Sequence, residues 1–262
     1  MLADAGSGHS AGALGMADIF TALYFRIMRH KPLDFAWEER DRLILSNGHI
    51  CPVRYAVMAH AGYMPIGELK TLRKFGSKLQ GHPSVSDFKA LETSSGPLGE
   101  GLSVAIGEAL AAKMNEKNYH IYVCMSDAEQ QEGMTWEAAM FAGKQGQNLN
   151  NLIAFIDRNN IQITGHTEDI MPLEPLRQKY EAFGWHVIEA DGHNFEEILS
   201  AFHEAQKIYE RPTLIIFHTI AGKGISFMEN DYVWHGKAPN KEEAKKALSE
   251  LDRLKDKIHS EY

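Results

Sequence analysis

The sequence predicts an α/β protein built on an open, doubly wound, mainly parallel sheet with helices on both faces. Three observations carry the prediction. Short apolar runs of strand length recur along the chain, segments of helical composition separate them, and polar residues follow the runs. In such a fold ligands sit outside the carboxyl ends of the strands, so those polar residues are the ones to inspect.

In chain order, Ala17 to Met28 is an apolar-rich helical stretch. Leu43-Ile44-Leu45 follows a charged turn and reads as a buried strand. Residues 53–61 and 66–75 read as helices, and 101–113, rich in Ala and Gly, as a helix packed closely against a neighbour. His120–Met125 is β-rich and ends at Ser126-Asp127. Met134 to Gln145 is helical, and Leu152–Ile156 is a second β-rich run ending at Asp157. Trp185–Ile188 and Leu214–Phe217 supply two more strands. Lys241 to His259 predicts a charged amphipathic helix on the outside. No repeat, low-complexity tract or linker divides the chain, so a single domain is expected over 1–262. Only a handful of residues precede Gly6, and the first helix reads as cut short, with an N-terminal extension expected before it.

Composition narrows the function. The net charge is −8 with no basic stripe, which argues against nucleic acid as a partner. No apolar run approaches the roughly 18–20 residues that span a bilayer, and Met1-Leu2-Ala3-Asp4 lacks the features of a signal peptide. Cys51 and Cys124 form no CxxC and fit a reducing compartment, so the expected location is cytoplasmic.

Five of 13 histidines follow a glycine (His9, His49, His82, His166 and His193), where 22 glycines in 262 residues lead one to expect about one by chance. Any single pair reads as a surface turn. As a set they suggest imidazoles presented at loop tips, where protons can be exchanged near neutral pH. Asp127 stands at a strand end, and Asn159-Asn160-Ile161 follows the next strand, with Asn159 32 residues later. Alone, Asp127 reads as a helix cap and Asn159-Asn160 as a turn. Together, a carboxylate, an amide oxygen and a backbone carbonyl make a hard-oxygen site for Mg2+, Ca2+ or Mn2+, completed by phosphate oxygens and water. Ser95 through Gly101 opens the Ala-rich helix and could hold a phosphate or floor a flat ring. Gly8-His9-Ser10-Ala11-Gly12 matches the G-x-S-x-G nucleophile elbow, but residues 1–7 cannot supply the strand that an elbow requires.

Taken together, these segments resemble the transketolase family, specifically its N-terminal, diphosphate-binding domain, from about Asp4 to Pro239. The matching stretches include Ser7-Gly8-His9, Gly15 to Asp18, Asp41 to His49, Gly81-His82-Pro83, Ser95 to Gly99, and Asp127 to Gly133. Further on come Asn159 to Gly165, Phe183 to Val187, Asp191-Gly192-His193 and Trp234-His235-Gly236.

The resemblance implies thiamine diphosphate and a divalent metal as cofactors. Asp127, Asn159 and the Ile161 carbonyl are the implied metal ligands, and Gly96 and Leu98 contacts to the cofactor rings. Glu132 is the implied acid crossing a dimer interface to couple paired sites. His49 and His235 are implied on the diphosphate side and in proton handling, and His9 and His82 as partners of sugar hydroxyls. The implied reaction transfers a two-carbon ketol unit from a ketose phosphate to an aldose. Trp234-His235-Gly236 and the three Gly-His loops favour this over a 1-deoxyxylulose-phosphate synthase-like or keto-acid dehydrogenase-like enzyme. A non-catalytic scaffold subunit is the alternative from another class.

Three departures matter. Ser126-Asp127-Ala128 replaces the family's Gly-Asp-Gly, so a β-carbon stands at Ala128, where a backbone N–H is expected close to the diphosphate; a positive φ there would be strained. Ser10-Ala11 replaces the family's Pro-Gly after Gly8-His9. The pyrimidine-binding domain does not appear before Tyr262. Either the enzyme is naturally split, with a separate C-terminal subunit, or this sequence is a fragment; the finishing charged helix and the close fit to one domain favour a natural subunit, expected in a heterotetramer with Ala105–Ala112 and Trp136–Ala142 as candidate interface helices.

Overall fold

The computed structural model describes residues 1–261, and the side chains of residues 1–256. Its centre is a five-stranded sheet in the order β1-β2-β3-β7-β6, formed by β1 (Arg42–Leu45), β2 (Ile121–Ser126), β3 (Leu152–Arg158), β6 (His186–Asp191) and β7 (Thr213–His218). All four strand pairings are parallel. A small antiparallel hairpin, β4 (Ile161–Gln162) with β5 (Gly165–His166), follows β3.

Strand side chains alternate between two cores because the pleat has period two. Leu43, Leu45, Tyr122, Cys124, Ile153, Phe155, Ile215 and Phe217 pack on one face with α3 (Ala17–Ala22), α4 (Cys51–His60) and α9 (Phe195–Ala205). Ile44, Val123, Met125, Ala154, Ile156, Leu214 and Ile216 pack on the other with α5 (Glu100–Met114), α6 (Gly133–Ala142) and α8 (Leu176–Ala182). This is the doubly wound sheet that the sequence predicts, and every strand read from the apolar runs is in it.

A third, smaller core joins Ala11 of α2 (Ala11–Gly15) to Ile161, Ile225, Met228, Trp234 and Ala247. Ala247 lies on α10 (Lys241–Glu261), which rests on this core by one stripe while Leu248 and Leu254 stay exposed. The remaining helices are the short α1 (Leu2–Ala5) and α7 (Thr167–Ile170). No helix among the described residues is long and apolar enough to cross a membrane.

Three local expectations differ from the structure. The helix read over 66–75 is a 3-10 turn, Ile66–Thr71, with extended backbone at Leu72 and a fully exposed Phe75. Gly67 disfavours a regular helix there. The stretch from Ala17 is α-helical only to Ala22 and continues as a π-helix over Leu23–Ile27. The helix read from Met134 to Gln145 stops at Ala142, because Gly143 sits against Phe183, where a Cβ would lie 2.0 Å from the Phe183 carbonyl oxygen.

Candidate active site

β2 and β3 run in register with Ser126 beside Asp157, which brings the residues that follow both strands to one edge. Asp127 is buried. Its Oδ1 accepts the Ala128 N–H at 2.7 Å, and its Oδ2 accepts the Asn160 N–H at 2.6 Å and Arg158 Nη1 at 3.2 Å. Asp127 thus caps a short turn, as the modest reading had it, while standing at the strand edge that the metal reading requires. Asn160 adopts φ 63, a left-handed conformation that Asn tolerates, and this turns the chain into the β4–β5 hairpin. Asn159 Nδ2 donates to Asp157 Oδ2 at 2.8 Å, and its Oδ1 accepts the Ile161 N–H at 3.0 Å. Thr219 Oγ1 donates to the other Asp157 oxygen. Asp157 therefore fixes which end of the Asn159 amide is oxygen.

Burial pushes Asp127 up to about 6, against the pull of Arg158 and the two backbone donors. Burial pushes Asp157 up to about 7, with the Asp127 charge adding to it. Ala128 lies in the turn after Asp127 and is not among the residues with positive φ, so the alanine carries none of the backbone strain weighed from the sequence.

Four histidines from distant loops converge. Ring centroids of His9 lie 5.0 Å from His49, 5.6 Å from His235 and 6.2 Å from His82, and His49 lies 5.1 Å from His235. Burial lowers His9 to about 4, with the positive fields of His235, His82 and Arg73 adding to it. Burial likewise holds His49 well below its ordinary value, and lowers His82 and His235. All four rings are therefore neutral at pH 7, each with one donor and one acceptor nitrogen.

The glycines explain the convergence. Gly8 has φ 127, and a Cβ there would strike Leu2 at 2.5 Å. A Cβ on Gly48 would lie 2.8 Å from Ser95 Oγ, and one on Gly96 3.9 Å from the His82 ring. The loops carrying His49, His82 and Gly96 are thus in contact. Gly236 abuts both His9 and Ile163, which links the histidines to the hairpin that begins at Ile161. Leu98 is half-buried in the same loop as Gly96. Glu132 is exposed at the start of α6, its Cβ against Gly99.

Three residues matter that the sequence reading did not single out. Glu129 is fully buried and accepts from Ser46 Oγ, the Gly99 N–H at 2.6 Å and the Ser126 N–H at 3.2 Å, tying β1, the ring-floor loop and β2 together. Arg73, at φ 60, packs against Gly81 and lends its charge to His9 and His82. Arg158 shares Asp127 Oδ2 with the Asn160 N–H. An acid buried within a strand-to-helix turn, and an Arg wedged between Asp157 and Asn159, are the signals that could have flagged two of them.

Two other sequence suggestions come apart. Ser10, the serine of the elbow-like motif, is buried and donates to the Lys237 carbonyl at 2.7 Å. His193, one of the Gly-His pairs, pairs with Asp18 at 3.0 Å and accepts the Ile220 N–H at 2.8 Å. In the candidate interface helices, Ala105, Ala109, Ala112 and Ala139 fill the chain's own core. The outward residues are Val104, Met134, Met140 and Phe141.

The residues present fit a diphosphate cofactor and its metal. His9 Nδ1 and Ser95 Oγ are buried without a hydrogen-bond partner among the described residues, beside the glycine-lined floor. No group of three or more His, Cys, Asp or Glu side chains is arranged to hold a metal among them. A cation at the strand edge would therefore rely on Asp127 with amide and carbonyl oxygens, a hard donor set suited to Mg2+.

A parallel sheet whose carboxyl edge gathers oxygen ligands and neutral imidazoles defines an α/β diphosphate-binding enzyme domain. The family model described as transketolase, thiamine diphosphate binding domain, matches residues 1–255. A 6-deoxy-6-sulfo-D-fructose transketolase subunit of Clostridium sp. (strain MSTE9) is 45% identical over 248 residues, covering 95% of this chain and 90% of that protein. An apulose-4-phosphate transketolase subunit of Phocaeicola vulgatus is 42% identical over 255 residues, covering 97% of this chain and 90% of that protein. The solved transketolase of Leishmania mexicana superposes with a TM-score of 0.89 at 32% identity, over 96% of this chain and 40% of that one. The chain belongs to the transketolase family, as a thiamine diphosphate binding domain, and is a transketolase-type transferase chain.

Proposed function

We propose that this chain is the N-terminal, cofactor-binding subunit of a split transketolase that moves a two-carbon ketol unit from a ketose phosphate to an aldose. The observation that carries the reading is the cluster of His9, His49, His82 and His235, which Gly236 links to the hairpin that follows Asn159. A separate C-terminal subunit would supply the pyrimidine-binding domain, and two copies of each chain would form a heterotetramer. Support comes from the two relatives named as transketolase subunits, of each of which this chain spans 90%. One domain would occupy 1–262, in the cytoplasm.

Asp127, Asn159 and the Ile161 carbonyl would hold Mg2+, with Ca2+ or Mn2+ able to replace it, and the metal would carry the diphosphate. The Ala128 N–H, Gly96, Leu98, His49 and His235 would line the rest of the cofactor. Thiamine diphosphate, when bound, would supply a nucleophilic carbon and an electron sink for breaking the C–C bond. The chain's own work is proton handling. His49 and His235, neutral and half-buried, can each take a proton from a sugar hydroxyl at one nitrogen or donate one from the other. His9 and His82 would hydrogen-bond the substrate hydroxyls and orient the C–C bond. Glu132, exposed at the start of α6, would reach across a subunit interface.

The test is calorimetric titration with thiamine diphosphate and Mg2+, on the chain alone and co-purified with its partner, followed by ketol-transfer assays. Cofactor binding that appears with the partner, and transfer activity that depends on both chains, are expected. A complex that never binds the cofactor would favour the scaffold alternative.

A further inference from the structure

Arg158 lies between Asp157 and Asn159 at the end of β3, and its side chain is 4% exposed. Its Nη1 donates to Asp127 Oδ2 at 3.2 Å and to Thr167 Oγ1 at 3.0 Å. Its Nη2 donates to Glu168 Oε1 at 2.6 Å and to Glu174 Oε1 at 2.9 Å. The two glutamates extend this hold. Glu168 accepts the Leu173 N–H at 3.2 Å, and Glu174 Oε2 accepts the Leu176 N–H at 2.9 Å.

The segment from Thr167 to Glu174 is otherwise held at a few points. Leu173 is buried, while Ile170 and Met171 are 49% and 56% exposed, so apolar anchoring is confined to one large side chain. Its other polar ties are the Thr167 N–H to the Asn160 carbonyl, Gln131 Nε2 to the Met171 carbonyl and Lys179 Nζ to the Leu173 carbonyl. A guanidinium keeps its charge at any physiological pH and offers five donors in a rigid fork, so it can hold three carboxylates and the Thr167 hydroxyl at once, one acceptor more than the three donors of an ammonium can serve. Without that charge, Asp127, Glu168 and Glu174 would face one another uncompensated.

We propose that Arg158 is a positioning residue that couples Asp127 to the Thr167–Glu174 segment, so that segment order and divalent-metal affinity at Asp127 depend on each other. This rests on the reading of Asp127 as a metal ligand. Linkage makes the coupling reciprocal. A metal drawing on Asp127 changes the hold on the segment, and loosening the segment changes the metal affinity.

The experiment uses the full chain co-expressed with its partner subunit. Mn2+ affinity is read by electron paramagnetic resonance, and hydrogen exchange is read over residues 163–175. Arg158→Met is expected to speed exchange in that segment and to weaken Mn2+ binding by roughly tenfold, the scale of a lost outer-shell partner. Glu168→Gln/Glu174→Gln, altering partly exposed side chains that do not touch Asp127, is expected to do both in the same direction, and Mn2+ is expected to slow exchange in the unaltered protein. Arg158→Lys should restore less than half of either effect. Faster exchange with unchanged Mn2+ affinity in both variants would reduce Arg158 to a structural tie and overturn the proposal. The double glutamine variant decides the matter if Arg158→Met does not fold. If the unaltered protein binds Mn2+ no better than Asp127→Ala does, the metal reading itself fails, and the two failures are distinct.

Discussion

The backbone N–H of Asn160 donates to Asp127 Oδ2 at 2.6 Å, joining the ends of two adjacent parallel strands through one carboxylate. That contact sets the spacing between the carboxylate and the Asn159–Ile161 oxygens. Asp127→Ala should therefore remove metal-dependent cofactor binding, beyond the ~100-fold at which loss of an outer-shell partner tops out. Titration calorimetry with thiamine diphosphate, with and without Mg2+, reads this directly. Unchanged affinity would remove Asp127 from the site.

Asp157 accepts from Asn159 Nδ2 and Thr219 Oγ1 and so aims the Asn159 oxygen. Asp157→Asn places a second amide there, whose NH2 can face that of Asn159. Mn2+ affinity should fall by about 10- to 100-fold. The melting temperature separates this from unfolding: a stable variant with full affinity would sink the orienting role.

Glu129 satisfies three donors from three segments in the interior. Glu129→Ala leaves the Gly99 and Ser126 N–H groups and the Ser46 hydroxyl without their acceptor, at a cost of about 3 kcal/mol or more. Urea unfolding monitored by circular dichroism checks the size. A loss under about 1 kcal/mol would mean that water replaces the carboxylate.

His9 sits at about 4 because burial and neighbouring positive charge exclude its proton. The folded state then binds fewer protons than the unfolded chain, whose histidine titrates near 6.5. Its stabilising contribution is complete above about pH 6.5 and drains away as the pH falls toward 4. His9→Gln should flatten the fall in stability over that window by about 1 kcal/mol, since solvent screening at a half-buried ring trims the effect. Parallel urea titrations at pH 7 and pH 5 measure it, and identical slopes would contradict it.

The sheet was legible because its strands are buried on both faces and so read as unbroken apolar runs such as LIAFI. Residues 66–75 misled because Ile66, Leu69 and Leu72 have helical spacing, yet the chain turns tightly and leaves Phe75 in water. Helices α8 and α9 go beyond the sequence reading, although Asn194 before Glu196 and Glu197 is an ordinary N-terminal signal. Asp127 and Asn159 could be paired from strand ends alone, because topology places consecutive polar edges together. Glu129 and Arg158 stand in suggestive places in the sequence, but their partners, and so their roles, come from segments far away along the chain.

The packing of the imidazoles has a consequence for how protons travel. Two positive rings 5.0 Å apart, as His9 and His49 would be, repel by about 3 kcal/mol at an effective dielectric near 20. A proton on one of these two rings therefore lowers the proton affinity of the other. In the reaction proposed above, taking a proton from one hydroxyl and returning one to the next would then be successive uses of these coupled rings.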